Sequence, residues 1–468
     1  MIMAHDLIVI GAGSAGLTAA GGAAMFGLKV ALIEQGEMGG ECLHTGCVPS
    51  KALIAAAARA QAGRMRDRLG VTLSGVEVDF AGVRRHVDST IAAIAPHDSQ
   101  ERFEQMGVEV IRAPARFLDA ATLLAGNQRL SAPRFVIATG SRPAVPPIAG
   151  LDDVSYLTNE TLFGLDALPK HLLILGGGAI GCEMAQAFRR LGSGVTVIEA
   201  GQPLAREDAD ASQIVIARLE DEGITFTIGT AIRVEQNEGA TSVKLDDGRR
   251  VVGTHLLVAT GRQANIDALD LDAVGVRHGK DGIKVDGRRR TSNRRIFAIG
   301  DCRAGPRFTH VAGYEGSLVA LQVATGWPSA VDWRALPRVT YTDPELAQIG
   351  LTEQEARDRH GSVDVTREAF ADNDRAVTEG DITGFLKLVW HGRKLVGVTI
   401  VGARAGDLLL PWAQVIAGKA STFALGSAIV PYPTRSEIAK AAAFAAWQPT
   451  VFGRAPKAWA GMLARLRR

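Results

Sequence analysis

Two cysteines with four residues between them stand in the segment Cys42-Leu-His-Thr-Gly-Cys47, and Val-Pro-Ser-Lys51 follows directly. The segment comes shortly after a glycine-rich turn of the kind that binds phosphate groups. A thiol pair at such a place can form and break a disulfide and so pass on two electrons. Cys182 and Cys302 are the other cysteines of the sequence. That number and spacing exclude a secreted disulfide scaffold and a four-ligand zinc site. We therefore predict a redox-active pair, no resident metal, and a reducing, cytoplasmic location.

The composition indicates an ordinary globular protein of several domains. The chain has 468 residues, of which 47% are hydrophobic and 22% are charged. This length suggests about three domains. The formal net charge is only +2. Because no strongly basic field is present, we expect no nucleic-acid partner.

The N-terminal residues have the pattern of a strand, a glycine-rich turn and a helix. The apolar run Leu7-Ile-Val-Ile leads into Gly11-Ala-Gly13-Ser-Ala-Gly16, and the next apolar run ends at Glu34. In such a unit the glycines allow close approach to a pyrophosphate, and the final carboxylate can bind ribose hydroxyls. The glycines also interrupt the apolar residues 7–27, so we predict a nucleotide site rather than a membrane segment.

The same pattern recurs later in the chain. His171-Leu-Leu-Ile-Leu precedes Gly176-Gly-Gly178-Ala-Ile-Gly181, and a further strand ends at Glu199. One such motif is weak support, whereas two with complete strand, helix and acid are strong support for two nucleotide sites. The Glu199 carboxylate would repel a 2′-phosphate, which favours NADH over NADPH.

The remaining strands divide into two types. Residues 135–140 and 256–261 are near-copies of a short apolar strand that ends in Thr-Gly, and residues 296–301 form a third such strand. After Pro337 the runs alternate and are rich in β-branched residues, which predicts an antiparallel sheet. We therefore predict an α/β protein with two doubly wound, Rossmann-like nucleotide-binding domains and a C-terminal α+β domain.

The segment Gly39-Gly-Glu-Cys42-Leu-His-Thr-Gly-Cys47-Val-Pro-Ser-Lys51 resembles the redox motif of the FAD-dependent pyridine nucleotide-disulfide oxidoreductases. That family includes dihydrolipoamide dehydrogenase, glutathione reductase and mercuric reductase. Ala-Ile-Gly-Asp301 resembles the family's flavin-binding turn, and Pro344-Glu-Leu-Ala-Gln-Ile-Gly350 resembles the start of its dimerisation domain. The resemblance extends over almost the whole chain.

The resemblance implies a domain order and two cofactors. It implies FAD binding by residues 1–147 and 265–335, NAD(P)H binding by residues 148–264, and dimerisation by residues 336–468. It further implies FAD and NAD as cofactors, with NADP less favoured because of Glu199, and a homodimer.

The resemblance also implies roles for individual residues. Electrons would pass from the nicotinamide through the flavin to the Cys42–Cys47 disulfide. Cys47 would be the flavin-side thiolate and Cys42 the thiol that exchanges with substrate. Lys51, one helical turn after Cys47, would pair with Glu183 near the flavin.

The implied cofactor-binding residues are spread over the nucleotide-binding segments. They are Gly11, Gly13, Gly16, Glu34, Gly40, Lys51, Ala115, Thr139, Gly140, Gly176, Gly178, Gly181, Glu199, Gly261, Arg262, Asp301 and Thr309.

The C-terminal motif departs from the family pattern. The family has His-Pro-Thr, then two further residues and a Glu, whereas the present chain reads Tyr432-Pro-Thr-Arg-Ser-Glu437. That His is the family's acid–base residue, and the Glu orients it. Because tyrosine has an ordinary pKa of about 10, catalysis by a neutral-pH base at this position is in doubt. Mercuric reductases share the tyrosine, but this chain lacks their C-terminal cysteine pair and N-terminal metal-carrier domain.

Three functions remain open at this point. The first is dihydrolipoamide-dehydrogenase-like oxidoreduction of a small thiol or disulfide or of a protein-bound lipoyl group. The second is a mercuric-type metal reductase, and the third is a low-turnover NADH-binding redox sensor or partner subunit. The basic residues 454–468 form an amphipathic pattern that fits contact with a membrane, although we favour a solvated or dimer-packed end.

Overall fold

The computed structural model describes residues 5–64, 69–71, 74–237 and 239–467. It confirms a mixed α/β fold, as the spacing of apolar runs predicts. The helices are α1 (Ser14–Met25), α2 (Gly40–His44), α3 (Cys47–Arg64), α4 (Phe80–Ile94), α5 (Gln100–Gln105), α6 (Asn159–Leu162), α7 (Ala179–Leu191), α8 (Ala209–Asp221), α9 (Thr309–Thr325), α10 (Glu353–His360), α11 (Asp374–Thr378), α12 (Leu410–Ile416), α13 (Thr422–Gly426), α14 (Glu437–Val451) and α15 (Arg454–Leu466).

The strands are numbered separately in chain order. They are β1 (Leu7–Ile10), β2 (Val30–Glu34), β3 (Val108–Arg112), β4 (Ala115–Asp119), β5 (Thr122–Ala125), β6 (Gln128–Ser131), β7 (Arg134–Ile137), β8 (Ser141–Pro143), β9 (His171–Leu175), β10 (Gly194–Glu199), β11 (Thr225–Ile228), β12 (Ala231–Asn237), β13 (Ala240–Leu245), β14 (Arg250–Gly253), β15 (His255–Val258), β16 (Arg262–Ala264), β17 (His278–Gly279), β18 (Gly282–Ile283), β19 (Ile296–Ala298), β20 (Pro337–Thr340), β21 (Glu345–Gly350), β22 (Asp364–Ala369), β23 (Phe385–His391) and β24 (Lys394–Gly402).

The chain forms two compact units. Unit 1 comprises residues 1–57, 78–176 and 231–331, and unit 2 comprises residues 58–77, 177–230 and 332–468. The division falls between Gly176 and Gly177, within the second glycine-rich motif. The four-segment division into domains remains a prediction.

Unit 1 is built on a five-stranded parallel sheet in the order β19-β7-β1-β2-β3. Strands β1, β2, β7 and β19 are short, mostly apolar and largely buried, as expected for a parallel sheet covered on both faces, whereas the edge strand β3 exposes Glu109 and Arg112. The carboxyl ends of β1 and β2 carry Gly11 and Glu34, and the end of β19 leads to Asp301. Predicted cofactor residues are thus brought to one edge of the sheet.

Helices α1 and α9 of unit 1 pack closely side by side. A Cβ atom added at Gly316 would lie 2.7 Å from the backbone oxygen of Ala15, and one added at Gly22 would lie 2.9 Å from Ala320 Cβ. The small residues therefore allow a separation that larger side chains would prevent. Since Ala15 faces Gly316 and Gly22 faces Ala320, the two helices run in the same direction, with their N-termini together.

The other strands of unit 1 form smaller groups. Strands β4-β5-β6 and β12-β13-β14 are antiparallel sheets, β8 pairs with β16, β17 pairs with β18, and β9 pairs in parallel with β15. The β8–β16 pair matters most here because it places Ser141 and Arg262 next to the turn that carries Asp301.

Unit 2 combines two kinds of sheet. Strands β10 and β11 pair in parallel beside α7 and α8, and β20-β21-β24-β23-β22 form an antiparallel sheet, as the alternating runs predict. Helices α12 and α14 supply Trp412, Ile438 and Ala442 to the apolar core of the antiparallel sheet. Among the helices of the described residues, none is both long and apolar enough to cross a bilayer.

Candidate active site

The two redox cysteines lie on consecutive helices of unit 1. Cys42 belongs to the short α2, and Cys47 is the first residue of α3. A Cβ atom at Gly46 would lie 2.9 Å from the backbone oxygen of Glu41, so the tight connection between the helices requires glycine there. Helix α3 begins at Cys47, so the Cys47 sulfur stands at a helix N-terminus, which favours negative charge.

The two sulfurs interact directly as a thiol pair. Cys42 is half-buried and Cys47 is exposed. The hydrogen bond with Cys47 raises the pKa of Cys42 far above its ordinary value, and burial raises it further. The hydroxyl of Thr309 lies 3.2 Å from Cys47 Sγ. The hydrogen bond between the two thiols therefore favours a protonated Cys42.

The first glycine-rich turn has the shape of a phosphate site. Gly11 has a φ of +104°, and an added Cβ would lie 2.4 Å from the backbone oxygen of Ala138. A Cβ at Gly16 would lie 1.8 Å from the oxygen of Gly11, whereas one at Gly13 would meet no described heavy atom within 4 Å. The Glu34 carboxylate accepts the backbone N–H of Ala12 at 2.6 Å. Two glycines are thus required by close packing, and the third leaves the backbone open to a pyrophosphate.

The second glycine-rich turn repeats this geometry in its own residues. Gly176 has a φ of +107°. The Glu199 carboxylate accepts the backbone N–H of Gly177 at 2.6 Å, as Glu34 does for Ala12. A Cβ at Gly178 would meet no described atom within 4 Å, and Gly181 is buried in the first turn of α7. The correspondence shows that the sequence repeat is also a structural one.

A polar network surrounds Asp301. Its carboxylate accepts the hydroxyl of Ser141 at 2.8 Å and lies 3.6 Å from Arg262 Nε. The Arg262 guanidinium forms a two-pronged ion pair with Glu41, and Asn159 donates to Glu41 Oε1 at 2.7 Å. Burial raises the pKa of Glu41, and Arg262 opposes that rise. The network links the predicted flavin-binding turn to the residue next to Cys42.

A buried charge cluster holds the backbone of the same turn. Glu315 of α9 is fully buried and accepts the backbone N–H of Gly300 at 2.8 Å. Its carboxylate also accepts from Arg303 at 2.7 Å and from Arg289 at 2.9 Å. Gly300 has a φ of +68°, so the turn before Asp301 is tight. Glu315 thereby fixes the position of Asp301 through the main chain.

Thr139 and Gly140 lie where β7 ends. The hydroxyl of Thr139 donates to the backbone oxygen of Asn265 at 2.6 Å, and the Asn265 amide donates back to Thr139 at 3.2 Å. Gly140 has a φ of +70° and Gly261 a φ of +151°. These residues set the backbone conformation where the chain passes from the parallel sheet of unit 1 to the β8–β16 pair, which carries Arg262.

For three of the predicted site residues, the observed contacts say nothing about the predicted role. Lys51 is half-buried on α3, one turn after Cys47. Glu183 is buried in α7 and accepts the backbone N–H of Tyr341 at 3.0 Å. The Lys51–Glu183 pair remains a prediction. Ala115 begins β4 and packs against the core of unit 1, so its cofactor contact also remains a prediction.

Tyr432 is an exposed hydrogen-bond donor. Its hydroxyl donates to Asp374 Oδ2 at 3.0 Å, and this hydrogen bond raises the pKa of Tyr432 above its ordinary value. Glu437 accepts the backbone N–H of Thr434 at 3.2 Å. The phenol therefore stays protonated at neutral pH and cannot take a proton from a substrate thiol.

Sequence reasoning missed several residues of these networks. Glu41 stood in the quoted redox motif, where an acid beside a reactive thiol was a usable signal, but it was given no role. The others are Ser141, Asn159, Asn265, Arg289, Arg303, Glu315 and Asp374. They act mostly through partners distant in the sequence.

The comparisons with known proteins agree with this geometry. Residues 5–316 match the family described as pyridine nucleotide-disulphide oxidoreductase, and residues 336–443 match the dimerisation domain of that family. The chain belongs to the pyridine nucleotide-disulphide oxidoreductase family. It is an NAD(P)H- and FAD-dependent disulfide oxidoreductase, and the matching dimerisation domain supports a homodimer.

Relatives with different names are similarly close. A mercuric reductase of Lysinibacillus sphaericus is 35% identical over 447 residues, which are 94% of this chain and 82% of that protein. A dihydrolipoyl dehydrogenase of Geobacillus stearothermophilus is 35% identical over 450 residues, 94% of this chain and 95% of that protein. Among solved structures, LpdA from Mycobacterium tuberculosis is 27% identical with a TM-score of 0.86, covering 94% of this chain and 99% of LpdA.

A second solved structure carries a more specific title. The copper(II) complex of the HOCl-induced flavoprotein disulfide reductase RclA from Escherichia coli is 27% identical with a TM-score of 0.84. It covers 93% of this chain and 99% of RclA. Within the described residues of the present chain, no group of three or more His, Cys, Asp or Glu side chains is arranged to hold a metal ion.

The residues present fit a dinucleotide cofactor in unit 1. Gly13 leaves the backbone open at the start of α1, where the helix N-terminus favours a pyrophosphate. Glu34 stands beside the same turn, and the Asp301 carboxylate has one oxygen bonded to Ser141 and a second to accept from a ligand hydroxyl. These residues would hold FAD, with Cys47 on the adjoining helix.

Proposed function

We propose that this protein uses NADH to reduce a disulfide substrate, a small disulfide or a protein-bound lipoyl group, at Cys42 and Cys47. One observation carries the proposal: Cys42 and Cys47 form a hydrogen-bonded pair, with the Thr309 hydroxyl 3.2 Å from Cys47 Sγ. FAD, when bound, supplies two-electron exchange between a nicotinamide and this sulfur pair.

The sulfur pair can carry out the exchange in two balanced steps. The proton of Cys42 moves along its hydrogen bond to Cys47, and the Cys42 thiolate attacks one sulfur of the substrate disulfide. A mixed disulfide forms, and the first substrate sulfur leaves as a thiolate, which takes a proton. Cys47 then attacks Cys42 Sγ, the second substrate sulfur leaves, and Cys42 and Cys47 are joined. The substrate gains two electrons and two protons, one proton from the singly protonated cysteine pair and one from solvent, and the cysteine pair is oxidised to a disulfide.

We infer the direction of the reaction from Tyr432, which stands where the family has its acid–base His. Oxidation of a dithiol needs a base that accepts a thiol proton, and the hydrogen bond to Asp374 raises the pKa of the tyrosine further from neutrality. Reduction of a disulfide begins instead from Cys42 and Cys47, which already form a hydrogen-bonded pair, and does not need a base at Tyr432 to start. The site therefore favours reduction over dihydrolipoamide oxidation.

The coenzyme preference rests on Glu199. Its carboxylate is fixed beside the second glycine-rich turn by the backbone N–H groups of Gly177 and Gly201. A negative charge there repels a 2′-phosphate and can accept hydrogen bonds from ribose hydroxyls. We therefore propose NADH as the natural reductant.

The test is a turnover assay of the FAD-loaded protein with NADH and lipoamide. Cys42→Ser and Cys47→Ser should each lower turnover by about a thousandfold or more, because a hydroxyl cannot exchange with a disulfide. Cys182→Ser, a change at a buried cysteine of α7, is the matched control and should stay active. Retention of full turnover in either redox variant contradicts the proposal. Rapid reduction by NADH without reoxidation by any disulfide would support a redox sensor instead.

A second candidate function is the reduction of a soft metal ion such as Hg²⁺. Tyr432 favours it, because the sequence resembles mercuric reductases at this position, and so does the 35% identity to the enzyme of Lysinibacillus sphaericus. Thiolates are the expected ligands for such an ion. The assay is Hg²⁺-dependent NADPH oxidation with thiol in excess, and no stimulation by Hg²⁺ removes this candidate.

A further inference from the structure

Helix α15 at the C-terminal side of unit 2 has an unusual surface. None of its residues is buried, and the apolar side chains of Trp459 and Leu466 are 61% and 74% exposed. The dimerisation-domain match ends at residue 443, before this helix begins. Exposed large apolar side chains on one helix indicate a contact surface rather than a core.

The residues of α15 separate into two faces. At about 100° per residue, Ala455, Trp459, Met462, Leu463 and Leu466 fall within an arc of about 100°. Arg454, Lys457 and Arg465 fall on the opposite side, and Arg467 follows at the flank. An aromatic and aliphatic face opposite a Lys/Arg face is the pattern of a helix that lies in a membrane interface.

The positive charge of this segment indicates what kind of surface the exposed face of α15 contacts. Residues 438–468 contain Lys440, Arg454, Lys457, Arg465, Arg467 and Arg468 but no Asp or Glu. The chain as a whole has a net charge of only +2, so the basic segment is a local departure from a balanced composition. A uniformly basic amphipathic helix is complementary to a surface that combines hydrocarbon with negative headgroups.

Side-chain contacts of helix α14 hold the start of α15 in place. The indole of Trp447 donates to the hydroxyl of Thr422 at 2.8 Å and stacks edge-on against Phe423, which ties α14 to α13. The ring of Phe452, at the junction with α15, packs edge-on against Phe444 of α14. The junction is held by side-chain packing, whereas the helix beyond it is exposed.

We propose that α15 binds the surface of a membrane rich in anionic lipids, with Trp459, Met462 and Leu466 inserted and the basic face toward the headgroups. The helix lies along the interface and does not cross the bilayer. The enzyme is then a peripheral membrane protein.

The experiment is flotation of the full-length, FAD-loaded protein with vesicles. The protein should float with phosphatidylglycerol–phosphatidylcholine vesicles, and it should remain at the bottom of the gradient with phosphatidylcholine alone or in high salt. Trp459→Ser/Leu466→Ser and Arg465→Glu/Arg467→Glu should each weaken binding by about tenfold or more, since both apolar area and basic charge contribute. Flavin content and circular dichroism verify that each variant is folded.

Matched controls carry the same changes elsewhere. Trp327→Ser removes another exposed tryptophan, and Arg393→Glu/Lys394→Glu reverses another exposed basic pair. Both should float like the unaltered protein. Failure of the unaltered protein to float with anionic vesicles overturns the proposal, as does equal loss in the controls. If Trp459→Ser/Leu466→Ser dissociates a dimer in sedimentation velocity and leaves flotation unchanged, the apolar face contacts a second copy and the proposal is wrong.

Discussion

Arg262 and Glu41 form a two-pronged ion pair immediately next to Cys42, the predicted exchange cysteine. The two residues are 221 positions apart in the sequence, and the pair joins the redox loop to the turn of Asp301. A carboxylate in this position opposes thiolate formation, and the guanidinium offsets it. The pair therefore adjusts the charge that the sulfurs experience.

Glu41→Gln removes the carboxylate and leaves more of the Arg262 charge uncompensated, although Asp301 stays nearby. The dithiol should then be easier to ionise, and its midpoint potential should rise by on the order of 30 mV, equivalent to about 1.4 kcal/mol. Equilibration in lipoamide redox buffers measures this. Glu37→Gln, an exposed acid of the same segment, is the control and should leave the potential unchanged. A fall in potential for Glu41→Gln would show that the ion pair acts differently.

Arg262→Met should act in the opposite direction. It leaves Glu41 largely buried without its cation, which should lower the midpoint potential and reduce the free energy of unfolding by about 2 kcal/mol. Burial already raises the pKa of Glu41, and removal of Arg262 should raise it further. Urea denaturation of the variant at two pH values checks this: the loss of stability should be smaller at acidic pH, where Glu41 is protonated. Equal losses at both pH values would argue against a charged Glu41.

Glu199→Gln should weaken discrimination between the two nicotinamide cofactors. Without the negative charge beside Gly177, a 2′-phosphate is repelled less, and the ratio of kcat/KM for NADPH to that for NADH should rise by about tenfold. The control is Glu220→Gln, at an exposed acid of α8. An unchanged ratio would assign coenzyme choice to other residues.

Tyr432→His should introduce the base that the site lacks. An imidazole has an ordinary pKa of about 6.5, so dihydrolipoamide oxidation should rise by about tenfold or more and should increase with pH through that range. Tyr432→Gln, which cannot titrate, should give neither effect. Steady-state assays with NAD⁺ and dihydrolipoamide measure both variants, and fast oxidation by the unaltered protein would contradict the assigned direction.

Lys387→Met should destabilise unit 2. Lys387 Nζ donates to Asp208 at 2.9 Å and to Asp210 at 2.7 Å, and Asp208 is buried. Loss of the amine leaves a buried carboxylate unpaired, which costs about 3–5 kcal/mol in the free energy of unfolding. Thermal unfolding measures the effect, and Lys394→Met, at an exposed position, is the control.

The same substitution has a defined pH dependence. The hydrogen bond from Lys387 lowers the pKa of Asp210. Its contribution to stability is therefore present above the ordinary carboxyl pKa of about 4 and is lost as pH falls through the lowered value. The difference between unaltered protein and Lys387→Met should shrink in acid, and a difference that grows there would count against the ion pair.

Much of the fold could be predicted because its signals are local. Glycines that must adopt a positive φ, such as Gly11 and Gly176, stand directly beside the apolar strands that they end. The antiparallel sheet after Pro337 was predictable from alternation, although β21 and β22 were not. The small sheet β4-β5-β6 was also missed, because its strands are short and mix exposed with buried residues.

The site could be predicted only where a motif marked it. Cys42, Cys47 and Asp301 lie in recognisable segments. Other contacts around the predicted site residues have no such marker: Arg289 and Arg303 meet Glu315 only through folding, and Asp374 reaches Tyr432 from 58 residues away. Long-range pairs of this kind depend on how elements pack, which no single segment encodes.

The glycine contacts between α1 and α9 have a mechanical consequence. The first residue of α1 follows the pyrophosphate turn, and the first residue of α9, Thr309, touches Cys47 Sγ. Because Gly316 and Gly22 let the two helices pack with almost no space between them, neither can slide without moving the other. The position of the predicted cofactor-binding turn and the position of the Cys47 sulfur are therefore coupled through the packed helices α1 and α9.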